Sequence, residues 1–470
     1  MAIAASNPIK SSPALVVFAI LCFAGVAFVA NPAIFLCCLV TFFTLVILVW
    51  KNANPGILLF SVLVQWAQVF AFVVWMNDMG WDIDRISPHG AVAVVCSCLG
   101  LIVMAVVFHF GLKKIDLPSM EQLHQQAKRI NERKVLIIYL FCTFFLSGAG
   151  LAFRGAGGFT QILMTFSSVK WVFFMVYAYV VWINKKNRFI LVLIVLFEFV
   201  TSLYSFFSSF KDVTYFTILV AMTFVRSVNF KQIIYGLLVL TALLFFFMTW
   251  TAIKKDYRDF LNKGTKQQVV AVSRSAAFNK IGEKIGKLTW QDYQNVTGAF
   301  LYRVQYVFHL ARTMDRVPEV LPHENGQVWW DNVSFVLMPR LLFPDKPIYE
   351  ATIKTNKYTG FHYTGLKQGT SFSLGYFADG YVDFGYFGMF IPLVLLSLYI
   401  LLIFRVLYRM KKINVVMRYA IINVALINFA SFESDGLFLF GRLTLLFLVF
   451  WVLSKFFFAR IQPWLYKPSR

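Results

Sequence analysis

Residues 91–112 read AVAVVCSCLGLIVMAVVFHFGL, twenty-two positions without one Asp, Glu, Lys or Arg. A helix of that length is about 33 Å long, enough to cross the ~30 Å hydrocarbon core of a bilayer. The same pattern recurs along the chain, near 13–30, 33–50, 56–76, 135–152, 169–183, 189–207, 213–228, 232–253, 385–408, 414–431 and 443–458. The fold class that follows is an all-α polytopic membrane protein with about 12 transmembrane helices. Composition agrees, because 59% of the 470 residues are hydrophobic and only 14% are charged. A soluble domain carries about a quarter charged residues, so a soluble enzyme, a disordered chain and a disulfide scaffold are excluded. All six cysteines lie inside apolar runs, which leaves no disulfide framework and no metal-binding Cys pattern. The first run lacks a small-x-small cleavage site and leads into a second, so it reads as a span rather than a signal peptide.

The formal charge of +22 would suggest nucleic acid in a soluble protein. Here the basic residues sort by side. With the N-terminus inside, the short inner segments collect 22 of them, and the short outer segments only five: Arg85, Arg154, Lys170, Lys211 and Arg442. Both termini are therefore expected in the cytoplasm, and the high charge is a topology signal with no nucleic-acid partner behind it. The remaining basic residues fall in one long outer loop. Three segments result: an N-terminal bundle of about nine helices (1–253), the large outer loop (254–384), and about three C-terminal helices (385–470).

Within the loop, Val269, Val272, Ala276, Ile281, Ile285 and Leu288 recur at helical spacing and predict an amphipathic helix over 268–288. A second helix is expected over 292–316, ended by Pro318. At 100° per residue its polar stripe is Gln305, His309, Arg312 and Arg316, and its apolar face is Phe300, Val304, Val307, Leu310, Ala311 and Met314. Arg303 falls in the middle of that apolar face, where a guanidinium needs an anion or a carboxylate partner. The stretch 319–375, rich in Pro, Gly and Asn, is expected to be mostly ordered loop.

Other candidates are weighed singly. Arg154 opens an RGAGG sequence that could cradle phosphate or simply turn the chain. Arg340 and Lys346 are held by three prolines in PRLLFPDKP, residues 339–347. Asp379 and Asp383, spaced i,i+4 before a span, and Glu433 and Asp435 are the carboxylates that could act as a base, although capping or ion pairing is the commoner role for each. Glu198 lies mid-span and is expected protonated or hydrogen-bonded. Trp329 and Trp330 could stack on sugars or anchor at the interface. Asp82 and Asp84 form a short acidic match. His89, His109, His124 and His362 show no ligand spacing, and no phosphate-binding loop, HExxH or nucleophile elbow occurs. No metal site and no cofactor is read.

Three stretches together carry a resemblance: PRLLFPDKP (339–347), GTSFS (369–373) and ADGYVDFGYFG (378–388). The chain resembles O-antigen polymerases, the oligosaccharide-repeat-unit polymerases of bacterial polysaccharide assembly. Members show a proline-flanked Lys motif, a Gly/Ser-rich approach and a Glu-x-Tyr-x-Asn-aromatic-Gly start to the next helix. Asp379 and Asp383 stand here where Glu and Asn types are expected. The resemblance implies a GT-C-like, polyprenyl-donor glycosyltransferase of the bacterial inner (cytoplasmic) membrane, with the 254–384 loop and the active site periplasmic. Its donor would be a glycan on undecaprenyl diphosphate, and its acceptor a hydroxyl of another lipid-linked repeat unit. Transfer would be inverting and metal-independent, with arginines stabilising the leaving diphosphate. Membrane lipid and a chain-length regulator are the further partners implied. On this reading Arg303, Arg340, Asp379, Asp383 and Glu433 are catalytic candidates. Arg154, His309, Arg312, Lys346, Trp329, Trp330 and Arg442 are substrate-binding candidates. Three readings compete: a ligase transferring the glycan to a lipid A-core acceptor, a lipid-linked oligosaccharide flippase, and a metal-using transferase built on Asp82 and Asp84.

Overall fold

A computed structural model describes residues 12–51, 54–146, 162, 165–204, 210–225, 228–265, 270–339, 342–343, 345–365 and 370–467. Among these the chain is helical, with no strand and one isolated bridge between Ile130 and Tyr466. The first helices are Pro13–Ala24 (α1), Pro32–Val49 (α2), Ile57–Asp78 (α3), Gly90–Lys113 (α4), Met120–Arg129 (α5) and Glu132–Phe141 (α6). Then come Val169–Asn184 (α7), Arg188–Leu203 (α8), Phe210–Phe224 (α9) and Phe230–Leu261 (α10). The long segment expected as a loop holds Arg274–Gly286 (α11), Trp290–Val304 (α12), Val307–Met314 (α13), Gln327–Leu337 (α14), Ala351–Thr359 (α15) and Tyr376–Gly388 (α16). Phe390–Tyr408 (α17), Val415–Leu426 (α18), Gly436–Leu453 (α19) and Ala459–Leu465 (α20) complete the chain.

Six helical stretches are long and apolar enough to cross a membrane: α2, α3, α4, α10, α17 and the stretch from Gly436 to Leu465. Pro13–Phe28, Val169–Asn184 and Val415–Phe429 are apolar but shorter. This is the coarse architecture of a multi-pass membrane protein, since a helix satisfies its own backbone polar groups in lipid. The main core joins α2, α3, α4, α7, α16, α17, α18 and α19 through Phe72, Phe108, Phe173, Tyr179, Tyr381 and Tyr419, all fully buried. Gly100 lets α4 approach α16 closely, because a Cβ there would lie 2.3 Å from the Phe377 ring. Glu198 is hydrogen-bonded within the bundle as expected, taking the Tyr139 hydroxyl at 2.5 Å and the Lys170 ammonium at 2.8 Å.

The structure departs from the sequence reading at four places. The predicted span at 385–408 opens on a break: Gly385, inside α16, has φ +66°, which only glycine adopts readily, so the helix kinks there before running on into α17. The predicted 292–316 helix is also two helices. Gln305 is extended (φ −70°, ψ 151°), its amide nitrogen donates back to the Tyr302 carbonyl, and its amide oxygen accepts from the Phe308 N–H. One side chain thus closes α12 and opens α13. The stretch expected as loop contains α14 and α15. Finally, α19 starts at Gly436, which puts Arg442 inside an apolar helix rather than in the outer loop before it. The amphipathic helix does form, as α11, with Ala277 and Ile281 buried against Tyr257 and Leu261 of α10.

Candidate functional site

The site begins in α3. Gln65 and Gln68 lie one turn apart in an otherwise apolar helix, and both reach into the break between α18 and α19. Gln65 donates to the Phe429 carbonyl at 2.6 Å and accepts the Tyr376 hydroxyl. Gln68 uses its whole amide. Its oxygen accepts the Phe432 N–H at 3.0 Å, and its nitrogen donates to Glu433 Oε2 at 2.8 Å and to the Val304 carbonyl at 3.4 Å. This clamp ties the end of α12 to the α18–α19 break and fixes Glu433 beside it. Glu433 is half-buried, and its Oε1 has no donor among the described residues. Arg442, two turns into α19, feels the Glu433 charge.

Next to Val304 stands Arg303, whose side chain is exposed. The sequence reading, which turned it inward onto an apolar face, is corrected: the helix ends one residue on, and that position lies at the surface. Its helix packs along α10, where the Tyr293 hydroxyl lies 3.0 Å from Thr249 Oγ1, and Arg303 comes close to the charged end of α10. Its apolar run ends at Ile253, and at about 48 Å the helix is longer than the bilayer core. The turn from Lys254 to Leu261 therefore projects beyond the apolar run. Burial, then the positive charges of Arg303, Arg258 and Lys211, push the Lys254 ammonium down to about 7. Burial likewise lowers the Arg303 guanidinium, and it lowers Arg258, to which the charge of Arg303 adds. Among the described residues, none of Arg303, Lys254 and Arg442 has a carboxylate within ion-pair distance. Cations grouped without an ion pair raise the local positive potential, which attracts anions.

A second polar centre holds three buried charges. Lys354 Nζ, on α15, lies 2.7 Å from Asp379 Oδ1 and 3.2 Å from Asp435 Oδ2. Asp379 Oδ2 accepts the Gly436 N–H and the Asn332 amide; Asp435 accepts the Leu374 and Gly375 N–H groups and the Tyr349 hydroxyl. Burial works against the Lys354 charge, yet Asp379 and Asp435 outweigh it and hold the ammonium above the ordinary lysine range. Beside this centre a cavity of about 200 Å³ is lined by Trp329, Asn332, Tyr376, Asp379, Tyr399 and Phe440, among others. Asp383, one turn on from Asp379, faces elsewhere. Its two oxygens accept the Val328 and Trp329 N–H groups at 3.0 and 2.7 Å, the work of an N-cap for α14.

The remaining candidates scatter. His309, expected on a wet stripe, is buried at 5% exposure because the helix break rotates α13. Its ring stacks on Tyr306 at 4.5 Å, and neither nitrogen has a partner. Burial pushes that imidazole down to about 4, against the pull of Asp435. Arg312 pairs with Asp315 at 3.0 Å, in a network with His89 and Ser87. Lys346 donates to the Phe335 and Met338 carbonyls at the end of α14. Trp330 is exposed, apart from Trp329 in the cavity wall. Asp82 and Asp84 accept the backbone N–H groups of Asp84 and Ala91, and no three metal-ligand side chains converge among the described residues. Arg154 and Arg340 lie outside the described residues. The structure thus links Arg303 to Glu433 through Gln68 and sets Lys254 beside Arg303, while Lys354 joins Asp379 in the second centre; Gln68, Lys254 and Lys354 are the residues sequence reasoning missed. The clue available for Lys254 was its place, one residue past the end of a long apolar run.

No curated protein and no solved structure matches the chain. A family model described as Domain of unknown function (DUF8712) matches residues 35–433. The match runs from α2 to Glu433, and so includes the Gln68 clamp, Lys254, Arg303, Lys354 and Asp379. On that coverage, the chain belongs to the DUF8712 family.

Proposed function

We propose that this protein is a glycosyltransferase of the bacterial inner membrane that polymerises undecaprenyl-diphosphate-linked oligosaccharide repeat units on the periplasmic face, in a GT-C-like bundle of about twelve spans. The observation that carries the reading is that Arg303 and Lys254 stand together, neither in an ion pair among the described residues, at the end of the apolar run of α10. A diphosphate on a polyprenyl chain matches that place in charge and in depth. Bound there, it would relieve the repulsion between the cations and return a full proton to Lys254. The planar guanidinium of Arg303 makes bidentate contacts that strengthen as charge builds on the departing oxygen, which is the task a divalent ion performs in other transferases.

The test uses purified protein in detergent with a lipid-diphosphate repeat unit, read as a polymer ladder on a gel. Arg303→Met should lower turnover on the order of 100- to 1000-fold. Arg303→Lys should also be impaired, because lysine keeps the charge and loses the fork. A well-folded Arg303→Met that polymerises at the wild-type rate would remove this pair from the reaction. Ladder growth without any lipid A-core present separates a polymerase from a ligase.

A further inference from the structure

A sugar hydroxyl that attacks an anomeric carbon must give up its proton as the new bond forms, and a positioned base lowers that barrier. Resting on the transferase reading above, we infer that Glu433 is this base and that Gln68 is its positioning residue. Most outer carboxylates are committed to other donors. Asp379 and Asp435 hold Lys354 together with backbone N–H groups, and Asp383 caps α14. Asp315 takes Arg312 and Ser87, and Glu324 takes Lys357 and Tyr358.

Two carboxylates with an uncommitted oxygen lie near the same Tyr215 hydroxyl, Glu433 and Asp212, and the clamp on Glu433 reaches the carbonyl of Val304, next to Arg303. They differ in anchoring. Asp212 lies in the first turn of α9 next to Lys211, with no hydrogen bond to fix its carboxylate among the described residues. Glu433 has one oxygen pinned by Gln68, whose amide is itself fixed at both ends by backbone groups. The other oxygen, Oε1, takes no hydrogen bond from the described residues. A base must be held within hydrogen-bond reach of the proton it takes, and a carboxylate fixed at one oxygen and open at the other meets that need.

The step balances. The acceptor oxygen forms a bond to the anomeric carbon while the bond from that carbon to the diphosphate oxygen breaks. The bonding pair leaves with the diphosphate toward Arg303 and Lys254, and the hydroxyl proton passes to Glu433 Oε1, which returns it to water before the next turn.

The experiment compares Glu433→Gln, Glu433→Asp, Gln68→Leu and Asp212→Asn, purified in detergent. Three readings are taken: binding of the lipid-diphosphate repeat unit, initial rate of ladder formation, and the pH–rate profile. Glu433→Gln should bind the donor within about twofold of wild type and turn over 10²- to 10⁴-fold more slowly. Gln68→Leu removes a donor to the carboxylate, so the acid limb of its profile should move to higher pH, a shift that loosened packing alone would not produce. Glu433→Asp should keep part of the rate. An active Glu433→Gln overturns the assignment, and an inactive Asp212→Asn beside it would transfer the role to Asp212. If the wild-type protein neither binds the lipid diphosphate nor forms a ladder, the transferase reading falls instead, whatever the variants do.

Discussion

Replacing Lys354 by methionine removes the one cation between Asp379 and Asp435 and leaves a side chain of similar length. The two carboxylates, each bonded to the same Nζ at 2.7 and 3.2 Å, stand no more than about 6 Å apart. At an effective dielectric of about 20, two negative charges at that distance repel by ~3 kcal/mol. Breaking a buried ion pair by removing one partner costs 3–5 kcal/mol in general. Here the backbone and Tyr349 donors remain, so the lower end, about 3 kcal/mol, is expected. The assay is unfolding by SDS in mixed micelles, with tryptophan fluorescence as the signal. Burial already raises the Asp379 carboxyl in the folded chain, and losing the ammonium raises it further, so the folded variant binds more protons than the unfolded one. The deficit should therefore shrink as pH falls from 7 to 5, and the Asp379→Asn/Lys354→Met double variant should recover part of the loss at pH 7. A Lys354→Met protein that resists SDS like wild type at pH 7 would refute the account of this centre as a coupled charge unit.

Asp383→Ala should lose the α14 cap and cost about 1–2 kcal/mol in the same assay, while Asp383→Asn, whose single oxygen can accept only one of the two N–H groups, should cost about half as much and remain active; an inactive, folded Asp383→Asn would instead make this carboxylate chemical. His309, at about 4 in the folded chain against 6.5 ordinarily, is protonated first in the unfolded chain as pH falls. Stability should be full above pH 6.5 and decline by ~3 kcal/mol towards pH 4, and His309→Phe should flatten that slope. Because Lys254 sits at about 7, binding of a lipid diphosphate should weaken as pH rises through 7, when the site must first take up a proton; Lys254→Arg should abolish the dependence. Cysteine labels at positions 128 and 327 should react from opposite sides of the membrane, and reaction from one side would reverse the assigned orientation.

The long apolar runs were legible because lipid allows them one solution. Residues 91–112 became Gly90–Lys113, and 56–76 became Ile57–Asp78. The missed features are those made by distant residues. The cap of α14 comes from Asp383, 55 positions away in the chain, so the polar stretch around Gln327 looked like loop. Tyr349 and Asp435 are 86 positions apart, and no local pattern announces that Lys354 joins them. The periodicity of 292–316 is real, yet it runs straight through Gln305, whose side chain satisfies the backbone on both sides of a break. That single extended residue explains why Arg303 meets water and His309 does not, the reverse of the helical projection. The i,i+4 spacing of Asp379 and Asp383 was visible, but not that one would meet a lysine and the other a helix end.

Half of the cationic pair is carried by a helix that the rest of the chain grips at one end only. Around Trp250, Tyr257 and Leu261, α10 is packed against α11 and α9, whereas Phe230, Ile234, Tyr235, Leu238 and Val239 are more than half exposed. Among the described residues that lower half is mostly uncovered. The angle of such a helix responds to how well its apolar length fits the bilayer around it. Arg303 is tied to both sides: its helix packs on α10 through Tyr293, stacked on Phe245 and 3.0 Å from Thr249, and α3 holds it through Gln68 and Val304. Membrane thickness thus acts on Lys254 and, through α12, on Arg303, and reconstitution in lipids of graded chain length becomes a way to strain the pair without changing a residue.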